Sequence, residues 1–185
     1  DTRTPRCPTM DELKAIFSSL GVSTFEELRD SAMISFMVFE ALRVGEVADL
    51  RRKDLEYVGE AIQCTIRGKG GRTTNRFLWP QTDRVVRAYI KQAKHTSPND
   101  PLFYSLRSRG QPLTTRAIRK RVDLYFQAAG VRKGLSCHSL RHAHATVLMA
   151  KGVPITAIQE RLRHENLMTT FRYFGNIPSM FHEKH

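Results

Sequence analysis

From Thr9 to Ala41 the apolar residues recur three and four positions apart, which is the spacing of an amphipathic helix. Thr9 and Glu12 have the spacing of a capping box, and Leu13, Ile16, Phe17 and Leu20 follow on one helical face until Gly21. Thr24 and Glu27 repeat the box. They predict a longer helix through Leu28, Met33, Ile34, Met37 and Ala41, whose C-terminal end delivers Leu42 and Arg43. After Asp54 the texture changes to short β-type runs, Ala61–Ile66 and Arg76–Trp79. The glycine-rich stretch Arg67-Gly-Lys-Gly-Gly-Arg72 separates them, so a β-hairpin with a basic tip is expected, with Pro80 ending its second strand.

Helical spacing then returns. Helices are predicted over residues 82–94, over 114–129 with Thr114 or Thr115 as cap and Gly130 as stop, and over Ser139–Ala150. Two short helices follow, at 154–163 behind Pro154 and at about 166–173. The pattern predicts a mainly α domain with one small antiparallel β-sheet, of the α+β class. Residues 1–8 are polar with two prolines and read as an entry linker, leaving 9–185 as a single domain.

Charge changes the picture more than composition does. The net charge is +12, which points to a polyanionic partner, nucleic acid before an acidic membrane or protein. A merely soluble basic surface is the plainer alternative. No apolar run approaches the roughly 20 residues that cross a bilayer. The start lacks both an apolar signal core and an initiating Met, which suits a processed fragment. Cys7, Cys64 and Cys137 are few, odd in number and far apart, so neither a disulfide framework nor a zinc cluster is expected. A reducing cytoplasm is the expected compartment. His138, His142 and His144 invite a metal reading, but positions 142 and 144 face different sides of a helix.

Six side chains, in order along the chain, suit one chemistry: Arg43, Lys69, His138, Arg141, His164 and Tyr173. Cutting a phosphodiester without a metal needs an in-line nucleophile, positive charge around the phosphorus and a proton for the leaving oxygen. Two arginines can grip one phosphate by bidentate hydrogen bonds. Two histidines can donate further bonds or hold protons near neutral pH. Lys69, at the hairpin tip, can protonate the leaving 5′ oxygen, a contribution of roughly 10²–10⁴ in rate. Tyr173 is the candidate nucleophile, its phenolate favoured by nearby cations. Taken singly each group has a plainer reading. Arg43 could end a helix, Lys69 could be an exposed turn residue, and Tyr173, between Phe171 and Phe174, could be core.

The joint order resembles the tyrosine recombinase, or phage integrase, family, whose catalytic fold is related to that of the type IB topoisomerases. The segment ALRVGEVADLRRKDL is similar to the family's first-arginine segment, which implies catalysis by Arg43 with support from Glu46. IRGKGGRTTNRFLWP resembles the hairpin bearing the catalytic lysine, here Lys69. HSLRHAHAT resembles the HxxR box, implying His138 and Arg141, and RLRHENLMTTFRYF resembles the segment with the final histidine and the nucleophile, implying His164 and Tyr173. Three positions depart from the family pattern without removing a chemical group: Arg163 and Ala41 stand where glycine is usual, and Gly45 where serine is common.

The resemblance implies site-specific DNA recombination through a covalent 3′-phosphotyrosine, with neither metal nor nucleotide cofactor, by four protomers on two duplexes, beside the nucleoid. The residues expected to meet DNA are Arg67, Arg72 and Arg76 of the hairpin, Arg116, Arg119 and Lys120 of the fourth predicted helix, and Arg163. The alternative for the helix cluster, with Arg121, is a solvated face. Family members usually carry an N-terminal DNA-clamp domain, and this chain begins where that domain would end. A DNA-binding module without chemistry and a relaxing topoisomerase are the competing readings.

Overall fold

The computed structural model describes residues 7–162, positions 109 and 132 excepted. Helix α1 spans Met10–Ser19 and α2 spans Phe25–Phe39, and both open with the predicted capping boxes. The Thr9 and Thr24 hydroxyls accept the amides of Glu12 and Glu27, and those carboxylates return to the cap amides. Each cap is worth about 1 kcal/mol. Helix α2 is buried on every side from Leu28 to Val38, so it is the core around which the other helices pack.

Helix α2 is shorter than its apolar spacing predicts. It ends at Phe39, Glu40 caps it, and Ala41 turns the chain with φ at +56°. Arg43 therefore does not end α2. It is the N-cap of α3 (Val44–Asp49), a helix too short to leave a periodic signature. The reading of Arg43 as a residue at a helix C-terminus is corrected accordingly.

A three-stranded antiparallel sheet follows, formed by β1 (Leu55–Val58), β2 (Ala61–Arg67) and β3 (Thr73–Phe77) in that order. The hairpin was legible but β1 was not. Along β2, Ile62, Cys64 and Ile66 are buried at alternate positions, as one core-facing side of a strand requires. In β1 only Leu55 is buried, and four residues with one inward side chain give no alternation to read. The β2–β3 register runs from Gln63↔Phe77 to Arg67↔Thr73, so Lys69 sits just beyond the last rung.

Pro80 begins a helix rather than only ending a strand: α4 spans Pro80–Gln92 with the proline at its first turn, where no amide donor is needed. Helix α5 is Thr115–Ala128 behind the Thr114 cap, α6 is Cys137–Ala150, and α7 is Ile155–Leu162. The predicted helix at 166–173 lies outside the described residues. One apolar core joins α1, α2, α4, α5, α6 and the inner face of the sheet. A smaller cluster of Ala41, Ala145, Leu148 and Ile158 sits under the α2–α3 turn. No helix among the described residues is long and apolar enough to cross a membrane.

Candidate active site

Four of the six predicted side chains come together. Arg43, Lys69, His138 and Arg141 line one cavity of about 660 Å³, with Glu46, Arg67 and Arg119 also in its wall. They arrive from three separate elements: the start of α3, the β2–β3 turn and the first turns of α6. His164 and Tyr173 lie outside the described residues, as does Arg163.

Glu46 aims Arg43. The α3 cap is extended, with φ −73° and ψ 153°. Glu46, three residues on, accepts the Arg43 amide at 2.8 Å through Oε2 and faces the Arg43 guanidinium at 3.5 Å through Oε1. One carboxylate thus contacts both ends of the arginine. Glu46 is buried while the Arg43 side chain remains about half exposed, so the anion is held back and the cation faces the cavity.

His138 and Arg141 stand three apart on α6, hence on one side of the helix. Arg141 is only 2% exposed, yet it forms part of the cavity wall. A cation kept from water attracts an oxyanion more strongly than a solvated one. The positive end of the α6 dipole adds to the same field, because Ser136 and Cys137 also line the cavity. Burial in the wall, then the charges of Arg141 and Arg43, hold the His138 pKa below its ordinary value.

Lys69 is carried by a tight turn. Gly68 donates its amide to the Arg72 carbonyl at 2.8 Å, and Gly70 and Gly71 take φ values of +77° and +75° that side chains resist. Lys69 is exposed and faces the cavity. The preceding Arg67 is also exposed, but its guanidinium forks onto buried Asp54, with Nη1 to Oδ2 at 2.7 Å and Nη2 to Oδ1 at 2.6 Å.

The residues expected to meet DNA divide. Arg72, Arg116, Arg119 and Lys120 are exposed. Arg119 lines the same cavity as Arg43 and Arg141, whereas Lys120 lines a different groove, with Arg29, Arg107 and Leu124. Arg76 is half-buried and donates to the Glu40 carbonyl at 2.9 Å. Arg121 is partly exposed but tied down: its Nε donates to buried Asp30 at 2.8 Å. Sequence reasoning missed Asp49 and Asp123, two carboxylates in the cavity wall. The only trace of the second is its place four after Arg119.

The histidines of α6 do not form a metal centre. His144 is fully buried, with Nδ1 2.7 Å from the Val38 carbonyl and its ring edge-on to Trp79. No metal-binding group of three or more ligands occurs among the described residues. Cys137, beside His138, is buried, and burial followed by the charge of Asp123 pushes its thiol up to about 12, so it is no nucleophile at neutral pH.

The chain is similar to known proteins in both sequence and fold. The tyrosine recombinase XerC of Myxococcus xanthus is 30% identical over 174 residues, which cover 91% of this chain and 57% of that protein. XerC of Pelobacter propionicus is 32% identical over 146 residues, covering 79% and 47%. The crystal structure of the XerH site-specific recombinase bound to palindromic difH substrate, a post-cleavage complex, superposes with a TM-score of 0.78 at 26% identity, covering 94% of this chain and 50% of that one. XerA recombinase shares the fold, at TM-score 0.78 and 24% identity. The chain spans about half the length of the curated relatives it matches. The pattern of the phage integrase family matches residues 9–178, and the chain belongs to that family.

Proposed function

We propose that this chain breaks and rejoins DNA strands by transesterification, in the service of site-specific recombination. The Tyr173 oxygen attacks the phosphorus, the bond to the 5′ oxygen breaks, and a 3′-phosphotyrosine forms. Lys69 gives its proton to the departing 5′ oxygen. Arg43 and Arg141 hold the non-bridging oxygens with His138 and His164, and Glu46 positions Arg43. Attack by a 5′-hydroxyl reverses the steps and reseals a strand, so the energy of the original bond is conserved.

The convergence of Arg43, Lys69, His138 and Arg141 on one cavity carries this reading. The named activities of the XerC and XerH relatives support it. The partners proposed are double-stranded DNA and further protomers, four on two duplexes. Residues 1–8 serve as the linker from a DNA-clamp domain, and the setting is the cytoplasm.

A duplex nicked beside the cleavage site tests the chemistry, because the released fragment diffuses away and traps the intermediate. A covalent protein–DNA adduct is expected, undiminished in EDTA and lost in Tyr173→Phe. An adduct that persists in Tyr173→Phe, or one that requires magnesium, overturns the mechanism. Binding with no adduct would favour a module without chemistry. Relaxed circles without recombinants between two marked duplexes would favour a topoisomerase.

A further inference from the structure

Arg67 is the last residue of β2, and Lys69 stands two positions beyond it. The turn that carries Lys69 runs on through Gly70 and Gly71, both in the left-handed region, and is closed by the Gly68 amide on the Arg72 carbonyl. Where that turn sits relative to Arg43 depends on the last rung of the ladder, Arg67↔Thr73, and on whatever grips it. Asp54 supplies the grip. Its two oxygens each accept one arm of the Arg67 guanidinium, and Oδ2 also accepts the Arg51 amide at 2.8 Å. The carboxylate is 2% exposed, so it cannot swing away with a moving tip. Asp54 lies in the short turn Arg52–Asp54 that leaves α3, the helix whose first residue follows Arg43. The fork therefore joins the segment that presents Arg43 to the strand that presents Lys69.

We infer that Arg67 is a positioning residue, whose bidentate hold on Asp54 sets the β2–β3 turn so that Lys69 faces the phosphate gripped by Arg43. This rests on Lys69 acting as the general acid, as proposed above. It differs from a phosphate contact by Arg67, because a phosphate contact needs only the arginine, whereas the clamp needs Asp54 equally.

The test is the dependence of cleavage on the leaving group. A nicked duplex in which sulfur replaces the bridging 5′ oxygen releases a thiolate, which needs no proton. Rates of adduct formation are compared for the oxygen and sulfur substrates in the unaltered chain, Lys69→Ala, Arg67→Gln and Asp54→Asn. On oxygen, Arg67→Gln and Asp54→Asn are expected to lose about ten- to a hundredfold, part of the roughly 10²–10⁴ that a general acid contributes. On sulfur both are expected to return to about the unaltered rate, as Lys69→Ala does. A defect from general loosening of the fold persists on both substrates.

If Lys69→Ala recovers on sulfur while Arg67→Gln does not, the clamp is overturned and the general acid stands. If Asp54→Asn cleaves the oxygen substrate at the unaltered rate, the clamp is likewise overturned, and Arg67 acts through its charge on DNA. If Lys69→Ala does not recover, the assignment of the acid falls and the clamp falls with it.

Discussion

The Glu40 carboxylate accepts the backbone amide of Trp79 at 2.7 Å across 39 positions of sequence. Glu40 caps α2 and Trp79 precedes α4, so one side chain ties the end of the core helix to the end of the hairpin. Arg76 adds a second tie, from its guanidinium to the Glu40 carbonyl. Between these ties the chain turns through Ala41 and Leu42 to Arg43. Removing a buried acceptor that takes a charge-assisted bond costs about 1.5–3 kcal/mol. Glu40→Ala is expected to lose that much in urea titration, and to slow cleavage because the turn leading to Arg43 loses its tie to the hairpin. Glu40→Gln keeps an acceptor of the same length and is expected to lose about half as much. Equal stability of Glu40→Ala and the unaltered chain would show that the tie is incidental.

Ala41 itself tests the cost of that turn. Its φ of +56° is in the left-handed region, which costs an L-residue about 1–2 kcal/mol. Glycine, usual here in the family, removes this strain. It also frees the unfolded chain by about 0.4–1 kcal/mol and deletes a methyl packed near Leu148 and Ile158, worth about 0.8 kcal/mol. The terms nearly cancel, so Ala41→Gly is expected within about 1 kcal/mol of neutral. Ala41→Val adds strain and overpacking and is expected to lose about 2–4 kcal/mol. Calorimetric unfolding of the two variants checks the pair of signs.

These two residues also show what can be read from the chain and what cannot. Thr9, Thr24 and Thr114 announced their helices because a cap is a local device, closed within three residues. The hairpin announced itself because glycines at its turn and alternation along β2 are local too. The end of α2 did not. Apolar spacing continues through Ala41 because Ala41 and Leu42 are buried in the turn, and burial rather than helix is what the spacing records. The candidate groups were legible as an ordered set, but that Arg43, Lys69, His138 and Arg141 line one cavity follows from packing between elements remote in sequence, such as the tie from Glu40 to Trp79. Arg121 and Arg76 read as surface charge because their partners, Asp30 and the Glu40 carbonyl, are remote in sequence.

Asp30 shows how much such a remote partner does. It is 1% exposed and accepts from Arg29 at 2.9 Å, from Arg121 Nε at 2.8 Å and from the Tyr125 hydroxyl at 3.0 Å. Two cations and a phenol from α2 and α5 share one carboxylate. Burial, then the charge of Asp30, pushes the Tyr125 phenol up to about 12, so it stays a donor at any working pH. Asp30→Ala strands the buried Arg29 guanidinium and frees the part-exposed Arg121, and is expected to cost about 3–5 kcal/mol, whereas Tyr125→Phe removes one donor and costs about 1 kcal/mol. Urea titrations that placed both variants together would contradict the hub.

His138 gives the site a pH dependence of definite sign. Its folded pKa is held down by burial and by the Arg141 and Arg43 cations, while the unfolded chain titrates near 6.5. As pH falls through that value the unfolded chain takes up the proton first, so this residue removes stability on the acid side and none at neutral pH. A phosphate between the two arginines opposes both cations and raises the pKa again. Proton uptake is therefore expected when DNA binds near pH 6, with affinity rising as pH falls. An NMR titration of the His138 ring, assigned by His138→Gln, checks this with and without duplex. Identical curves would mean that no phosphate settles beside this imidazole.

The basic residues can be sorted by the salt dependence of binding. Each neutralised phosphate contributes about 0.9 to the slope of log affinity against log salt. Arg116 and Arg119 are exposed on α5, one turn apart, and Arg119 lines the cavity. Alanine at either is expected to lower the slope by about 1, with little change in stability. Arg76 already donates to Glu40. Arg76→Ala is expected to leave the slope alone and to lower stability by about 1–3 kcal/mol, because it deserts a carbonyl at the α2 cap. The two responses separate a cation facing DNA from one that holds the fold. Fluorescence anisotropy of a labelled duplex over a range of salt, beside thermal unfolding of each variant, measures both. A lowered slope in Arg76→Ala would place that guanidinium on DNA after all.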